Sequence, residues 1–236
     1  MISVTITGAD DAVDPNDLSA LSQEFPFVEW GILFSAKRAG SLRYPSAAWI
    51  ERFVTTYPHL QRAAHLCGFY ASDAMEGRLT ADAAGAFHRI QLNGYKPGRL
   101  MGIAKLSKDL NAALILQARS AAELQDAATE ASQLPSGQVL FDPSGGRGQE
   151  PFDWPKAPNG ARIGYAGGIN PGNVEAVVCE ILTANNFTLT DFWIDMESGV
   201  RTRDNHFNLD AVRRVLETVS AVNYRMKLMG TTGVMG

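Results

Sequence analysis

Eight short apolar runs typical of β-strands recur along the chain, and helix-like segments separate them. The runs lie near 2–7, 28–34, 62–68, 87–92, 111–117, 138–142, 161–166 and 191–195. Helical periodicity marks intervening segments such as 47–57, 120–133, 171–185 and 209–224. Eight alternating units in 236 residues suit a barrel, because a doubly wound sheet normally uses fewer strands. We therefore predict an α/β protein with one domain, a (β/α)8 TIM barrel over 1–228, followed by a loose tail at 229–236.

The charge and composition of the chain exclude several classes of partner. Its formal net charge is −4 and its pI is about 5.6, so it lacks the overall positive charge that neutralises a nucleic-acid backbone. No apolar run approaches the roughly 20 residues that a membrane span needs. Strand-like alternation begins at Ile2 and leaves no room for a signal peptide. We therefore expect a cytoplasmic protein that binds neither nucleic acid nor membrane.

The cysteine pattern indicates neither a disulfide framework nor a structural metal. The two cysteines, Cys67 and Cys179, are far apart and lack the close cysteine and histidine pairing of a zinc site. We therefore expect two reduced thiols, and we expect no metal and no cofactor.

Strand parity predicts which side chains face the interior of the barrel, because successive residues of a strand point to opposite sides. In the first strand the apolar residues Ile2, Val4 and Ile6 should meet the helices, which leaves the threonines inside. Barrel enzymes keep their chemistry at the carboxyl ends of the strands. The inward residues predicted at that end are Thr7, Cys67, Asn93, Asp142 and Asp195.

Two glycine-containing turns follow the seventh and eighth predicted strands. Gly167 and Gly168 have no Cβ, so the backbone there would approach an anion closely. Residues 171–173 are expected to open the next helix with their N–H groups directed at the ligand, and Ser198 and Gly199 to complete the cradle. A phosphate site after strands seven and eight recurs in barrels. We therefore predict a small phosphorylated ligand, with ordinary βα turns as the alternative.

Seven segments resemble, in the same order, those of the phosphoribosylanthranilate isomerase family, the barrel enzymes of tryptophan biosynthesis. They are VTITG at 4–8, GILFS at 31–35, RYPS at 43–46, QLNG at 91–94, FDPSGGRGQEPFDW at 141–154, AGGINP at 166–171 and ESGV at 197–200. Segment 141–154 is similar to the family's catalytic-aspartate loop, and the last two segments resemble its phosphate cradle. The resemblance implies a barrel enzyme that acts on a sugar phosphate.

The family resemblance also implies a reaction, an Amadori rearrangement in which an aminoaldose phosphate opens and becomes an aminoketose. By analogy Asp142 is the general acid that protonates the ring oxygen, a role that requires a partly protonated carboxyl in a water-poor mouth. The chain departs from the family at Thr7, where the family has its basic cysteine, and at Asn93, where it usually has histidine. Candidate replacement bases are Cys67, which we favour, His65, Asp195 and Glu197.

The sequence thus predicts the catalytic residues Asp142, Cys67 and Thr7. The predicted substrate-binding residues are Arg43, Asn93, Gly167, Gly168, Asp195, Ser198 and Gly199. Arg43 and Arg147 would each contact a ligand anion or, alternatively, remain solvated. Three functions stay open: an Amadori-type isomerase, a lyase or epimerase of another sugar phosphate, and a non-catalytic or regulatory barrel that binds a phosphate ester. The chain is expected to be a monomer or a homodimer.

Overall fold

The computed structural model describes residues 1–79, 85–189 and 191–232, which form a closed barrel of eight parallel strands. Each strand pairs with the next, and β8 pairs with β1 to close the barrel. The strands are β1 (Ile2–Thr7), β2 (Val28–Phe34), β3 (Arg62–Leu66), β4 (Arg89–Leu92), β5 (Ala113–Ala118), β6 (Gln138–Phe141), β7 (Ile163–Ala166) and β8 (Phe192–Met196). All lie within a few residues of the predicted runs, so the predicted TIM barrel is confirmed.

Helices cover the outside of the barrel. In the described ranges they are α1 (Pro15–Glu24), α2 (Ala47–Thr56), α3 (Phe69–Met75), α4 (Leu100–Leu110), α5 (Ala121–Ala131), α6 (Val174–Ala184) and α7 (Leu209–Thr232). The apolar face of β1, made by Ile2, Val4 and Ile6, is fully buried in the core between strands and helices, as parity predicts. No helix within the described residues is both long enough and apolar enough to cross a membrane.

A buried ion pair occupies the barrel interior below the mouth. Arg89 Nη1 lies 2.9 Å from Glu29 Oε1, and the Thr5 hydroxyl donates to the same oxygen at 2.9 Å. The Arg89 guanidinium also lies over the ring of Trp193, 4.0 Å from its centroid. Trp193 belongs to a small apolar cluster inside the barrel that also contains Ile115, Leu140 and Ala166. The interior is therefore a packed core that contains charge.

The connection between β6 and β7, residues 142–162, is a loop without a helix, as the proline- and glycine-rich composition of 143–160 predicts. Trp154 of this loop is buried and packs edge-on against Phe141 and Tyr165, with ring centroids 6.5 and 6.0 Å apart. Its indole N–H donates to Glu180 of α6 at 3.1 Å. One aromatic side chain thus covers the barrel wall where most of the other connections place a helix.

The last helix corrects the predicted domain boundary. α7 continues to Thr232, so residues 229–232 are helical rather than part of a loose tail, and 233–236 lie outside the described residues. Extending an existing helix is much easier than starting one, and a single glycine costs only about 1 kcal/mol. Within α7, the Asn223 side chain accepts from Ile2 N at 2.8 Å and donates to Ile2 O at 2.9 Å. This pair fastens the helix to the first strand.

Candidate active site

A recess of about 520 Å³ opens at the carboxyl end of the barrel, where barrel enzymes keep their chemistry. We call it the mouth recess. Most of the predicted site residues line it, namely Thr7, Asn93, Asp142, Gly167, Gly168, Asp195, Ser198 and Gly199. Further polar side chains in its lining are His65, Gln91, Gln117, Ser144 and Glu197. The structure therefore brings together residues that are far apart in the chain.

Asp142 directly follows β6, and three donors converge on its carboxylate. Gln117 Nε2 donates to Oδ2 at 2.8 Å, the Gly146 N–H donates to Oδ2 at 2.7 Å, and the Ser144 hydroxyl donates to Oδ1 at 2.8 Å. Gln117 comes from β5, whereas the other two donors come from the loop after β6. Asp142 is almost fully buried, so these contacts replace the water that a carboxylate would otherwise bind.

Asp195 of β8 lies beside Thr7 of the neighbouring strand β1 and His65 of β3. The Thr7 hydroxyl donates to its Oδ1 at 3.1 Å, and His65 Nε2 lies 3.8 Å from its Oδ2. Gly31 makes this crowding possible, because a Cβ at that position would lie 2.2 Å from Thr7 Oγ1 and 2.9 Å from His65 Nε2. Thr7, which stands where the isomerase family that the sequence resembles has its basic cysteine, therefore contacts a carboxyl group.

Burial shifts the pKa values of Asp195 and His65, in each case against the charged form. It raises the pKa of Asp195 well above its usual range; the Thr7 hydrogen bond lowers that pKa, whereas the charges of Asp142, Glu29 and Glu197 raise it. Burial, together with the charge of Arg89, lowers the pKa of His65 to about 3. Near neutral pH the imidazole is therefore uncharged and gives Asp195 no cationic partner.

Cys67 lies at the end of a chain of side-chain contacts that leads away from Asp195. Gln91 Nε2 lies 3.3 Å from His65 Nδ1 and donates to Asn93 Oδ1 at 2.8 Å, and Asn93 Nδ2 contacts Cys67 Sγ at 3.1 Å. Burial raises the pKa of the Cys67 thiol, although the Asn93 hydrogen bond acts in the opposite direction. A raised pKa leaves little thiolate near neutral pH, which disfavours the base role that the sequence suggested for this residue.

The glycine turns after β7 and β8 meet at one side of the mouth recess. Gly167, Gly168 and Ile169 line it from one turn, and Ser198 and Gly199 line it from the other. Gly168 has a φ of +66°, and a Cβ there would lie 2.6 Å from the backbone nitrogen of Glu150. The loop after β6 therefore covers this turn, and neither the backbone conformation nor the space suits a larger residue.

The predicted role of residues 171–173 in this cradle is wrong. α6 begins at Val174, and the Gly172 N–H donates to Asn170 Oδ1 at 2.8 Å. The Asn173 N–H donates to the Asn170 carbonyl at 3.2 Å. Both N–H groups are thus used within the turn, one by the Asn170 carbonyl and the other by the Asn170 side chain, because asparagine side chains compete for nearby backbone donors. The candidate anion site is thus confined to the turns at 167–169 and 198–199.

A second, wider recess of about 1410 Å³ adjoins the first and holds the remaining predicted residues, Cys67 and Arg43. We call it the side recess; Asn93, Gly146 and Glu197 line both recesses. Arg43 Nη1 lies 2.6 Å from Glu197 Oε1, and the rest of its guanidinium donates to Asn205 Oδ1. Arg38 and Arg147 also line the side recess. Arg43 and the proposed base Glu197 therefore neutralise each other.

The sequence did not predict Gln117 and Ser144 as site residues, although both contact Asp142. Gln117 is detectable in principle, because strand parity places it on the same face of β5 as the interior residue Ile115. Ser144 is not, because its contact with Asp142 depends on how the loop folds. Within the described residues, no three His, Cys, Asp or Glu side chains are grouped so as to hold a metal ion.

The fold and the position of the site define a TIM barrel whose carboxyl-end mouth is lined by three carboxyl groups, those of Asp142, Asp195 and Glu197, and by two small-residue turns. No protein-family model matches the chain. No curated protein matches it either.

Solved structures do resemble it. Phosphoribosylanthranilate isomerase from Thermotoga maritima is 16% identical, with a TM-score of 0.62 over 94% of this chain and 100% of that one. The same enzyme from Thermus thermophilus is 17% identical, with the same TM-score and coverage. 3-Hexulose-6-phosphate synthase from Salmonella typhimurium is 12% identical, with a TM-score of 0.58 over 93% of this chain and 99% of that one. The resemblance inferred from the sequence segments is thus confirmed at the level of the fold.

Proposed function

We propose that this protein isomerises a phosphorylated aminosugar by acid–base proton transfer of the Amadori type. The observation that carries the proposal is that Asp142 and Asp195 line one recess together with the glycine turns after β7 and β8. Conversion of an aminoaldose to an aminoketose needs two proton carriers near the first two sugar carbons. It also needs a separate site that holds the phosphate. The mouth recess offers both.

In this proposal the two turns hold the phosphate and the side recess receives the amine substituent. Backbone N–H groups of glycine turns are common ligands for phosphate, and the Ser198 hydroxyl adds a side-chain donor. Arg38 and Arg147 line the side recess beside the Arg43–Glu197 ion pair, and their positive charge suits a substituent with negative charge. The proposal also includes four predictions from the sequence: a place in tryptophan biosynthesis, a cytoplasmic location, a monomeric or homodimeric state, and no need for a metal or cofactor.

Turnover of phosphoribosylanthranilate, followed by the loss of anthranilate fluorescence, tests the proposal. Calorimetric binding of reduced 1-(o-carboxyphenylamino)-1-deoxyribulose 5-phosphate, the compound named with one of the similar structures, gives a second readout. We expect turnover by the purified chain and saturable binding of the analogue. Binding without turnover would favour a regulatory barrel. Turnover only of other sugar phosphates would favour the lyase or epimerase alternative, and failure to bind any phosphate ester would contradict all three functions.

Replacing Gly168 by alanine is expected to weaken binding of the same analogue about tenfold, because the turn must shift to relieve the contact with Glu150. Gly160→Ala is a matched control: its φ is +73°, so it carries the same backbone strain, but a Cβ there meets nothing within 4 Å. Calorimetry on both variants compares the two dissociation constants. Equal affinities would show that the turn at Gly168 does not contact the phosphate.

A further inference from the structure

Three carboxyl groups line the mouth recess, and Glu197 is paired with Arg43. The other two, Asp142 and Asp195, differ in their surroundings, and this difference indicates which of them donates and which accepts a proton. We propose that Asp142 acts as the general base and Asp195 as the general acid of the reaction. This inference rests on the proposed function. It reverses the acid role that the family resemblance implies for Asp142, and it uses no thiol.

Asp142 is surrounded by groups that can only donate to it. The Gln117 amide is oriented by the Gly94 N–H, which donates to Gln117 Oε1 at 2.7 Å and so turns Nε2 toward Asp142. The Gly146 N–H has no acceptor function. A protonated Asp142 would have to place its own O–H against one of these donors. The arrangement is therefore satisfied by an ionised carboxylate.

The third donor, the Ser144 hydroxyl, is also fixed in direction. Its oxygen accepts from the Arg147 and Gly148 N–H groups, both at 3.1 Å, so its hydrogen is free to point at Asp142 Oδ1. Oδ1 accepts from this one group, whereas Oδ2 accepts from two. Oδ1 is therefore the oxygen better able to take up a proton from a substrate carbon.

Asp195 lacks such donors. Within the described part of the chain, the one hydrogen bond of its carboxyl group is with the Thr7 hydroxyl, a group that accepts as readily as it donates. His65 Nε2, at 3.8 Å, is beyond hydrogen-bond distance. The charged groups that face Asp195 from other elements are Glu29, Arg89, Asp142 and Glu197, and Arg89 is already paired with Glu29. Burial and the surrounding negative charge hold the pKa of this carboxyl high, which keeps a proton available.

The resulting reaction is balanced without an outside reagent. Asp195 gives its proton to the ring oxygen, the C1–O bond breaks toward that oxygen, and the amine lone pair forms a C1–N double bond. Asp142 then takes the proton from C2, and the C–H electrons form a C1–C2 double bond while the nitrogen becomes neutral. The enol becomes the ketone when Asp142 passes its proton to C1 and the enol hydroxyl gives its proton to the Asp195 carboxylate, which restores both groups. Thr7 is a positioning residue that holds Asp195.

Infrared difference spectra of the ligand-free protein at pH 7 test the protonation states without any substrate. We expect a band from a protonated carboxyl that disappears in Asp195→Asn and persists in Asp142→Asn. Loss of the band in Asp142→Asn, or its persistence in Asp195→Asn, would overturn the inference. This measurement stands even where phosphoribosylanthranilate is not turned over, a result that would contradict the proposed function alone.

The pH profile of kcat separates an acid from a base. An acid must be protonated, so kcat should fall as the pH rises through the pKa of Asp195. Thr7→Val removes a hydrogen bond that favours the ionised carboxylate, and should move this high-pH limb upward by about one pH unit, while Thr7→Ser leaves it in place. Asp195→Asn should lower kcat about 100-fold with little change in KM. A shift of the low-pH limb instead would make Asp195 the base and overturn the assignment.

Discussion

Asp142→Asn is expected to lower kcat/KM for phosphoribosylanthranilate by about 10³-fold, within the range typical of a lost acid or base. The amide cannot accept a proton from carbon, yet it fits the site. Its oxygen would face the Gln117 and Gly146 donors that now contact Oδ2, so only the contact with Ser144 changes. The fall should therefore appear in turnover, measured by anthranilate fluorescence, and not in folding.

Asp153→Asn is the matched control for this substitution. Asp153 is an exposed carboxylate of the same loop, so its replacement changes the net charge equally without touching the mouth recess. We expect turnover within a factor of two of the unmodified protein. Unfolding curves in urea and calorimetric binding of the reduced analogue should be nearly the same for all three proteins. Wild-type turnover in Asp142→Asn would remove this residue from the mechanism.

Glu29→Gln is expected to lower the free energy of unfolding by about 3 kcal/mol, because it leaves the buried Arg89 charge without its counterion. The substitution preserves the shape of the side chain and its ability to accept from Thr5 and Arg89. The loss therefore reports the missing charge and not a cavity. Urea unfolding followed by circular dichroism gives the midpoint and the slope from which the difference is obtained.

The double variant Glu29→Leu with Arg89→Met provides the test of that explanation. Both charges are then absent, and apolar replacements of buried ion pairs are often neutral or stabilising. We expect the double variant to be more stable than Glu29→Gln alone, even though it also loses the stacking of Arg89 on Trp193. A double variant less stable than the single one would show that packing around Arg89 matters more than its charge.

Sequence patterns predict the barrel well because each strand carries its own local signal. Ile2, Val4 and Ile6 alternate with a serine and two threonines, and this pattern predicts which face of β1 meets the helices. The same parity brings Thr7, Asn93, Asp142 and Asp195 to one recess once the barrel is assumed. Segments with weak periodicity are less predictable. The start of α6 shifts from 171 to 174 because Asn170 holds the preceding turn through its side chain.

Contacts that depend on three-dimensional closure are invisible in the sequence. Thr7 and Asp195 are 188 positions apart, and they meet because β1 and β8 pair. Arg43 and Glu197 form an ion pair across 154 positions, which turns two candidate site residues into partners. No local pattern distinguishes a carboxylate held by three donors from one beside a single hydroxyl. The division of roles between Asp142 and Asp195 therefore emerges only from the folded molecule.

Trp154 has a consequence that reaches beyond the barrel wall. The loop that carries it also supplies Ser144, Gly146 and Gly148 to the mouth recess, so one segment both covers the site and completes the hydrophobic shell. Because one loop does both, we expect that a ligand which orders the loop also stabilises the packing of Trp154 between β6 and β7, and that the two changes occur cooperatively. Occupancy of the recess should slow amide hydrogen exchange in β6, β7 and α6 as well as in the loop. Local unfolding of that wall should, in return, loosen the ligand.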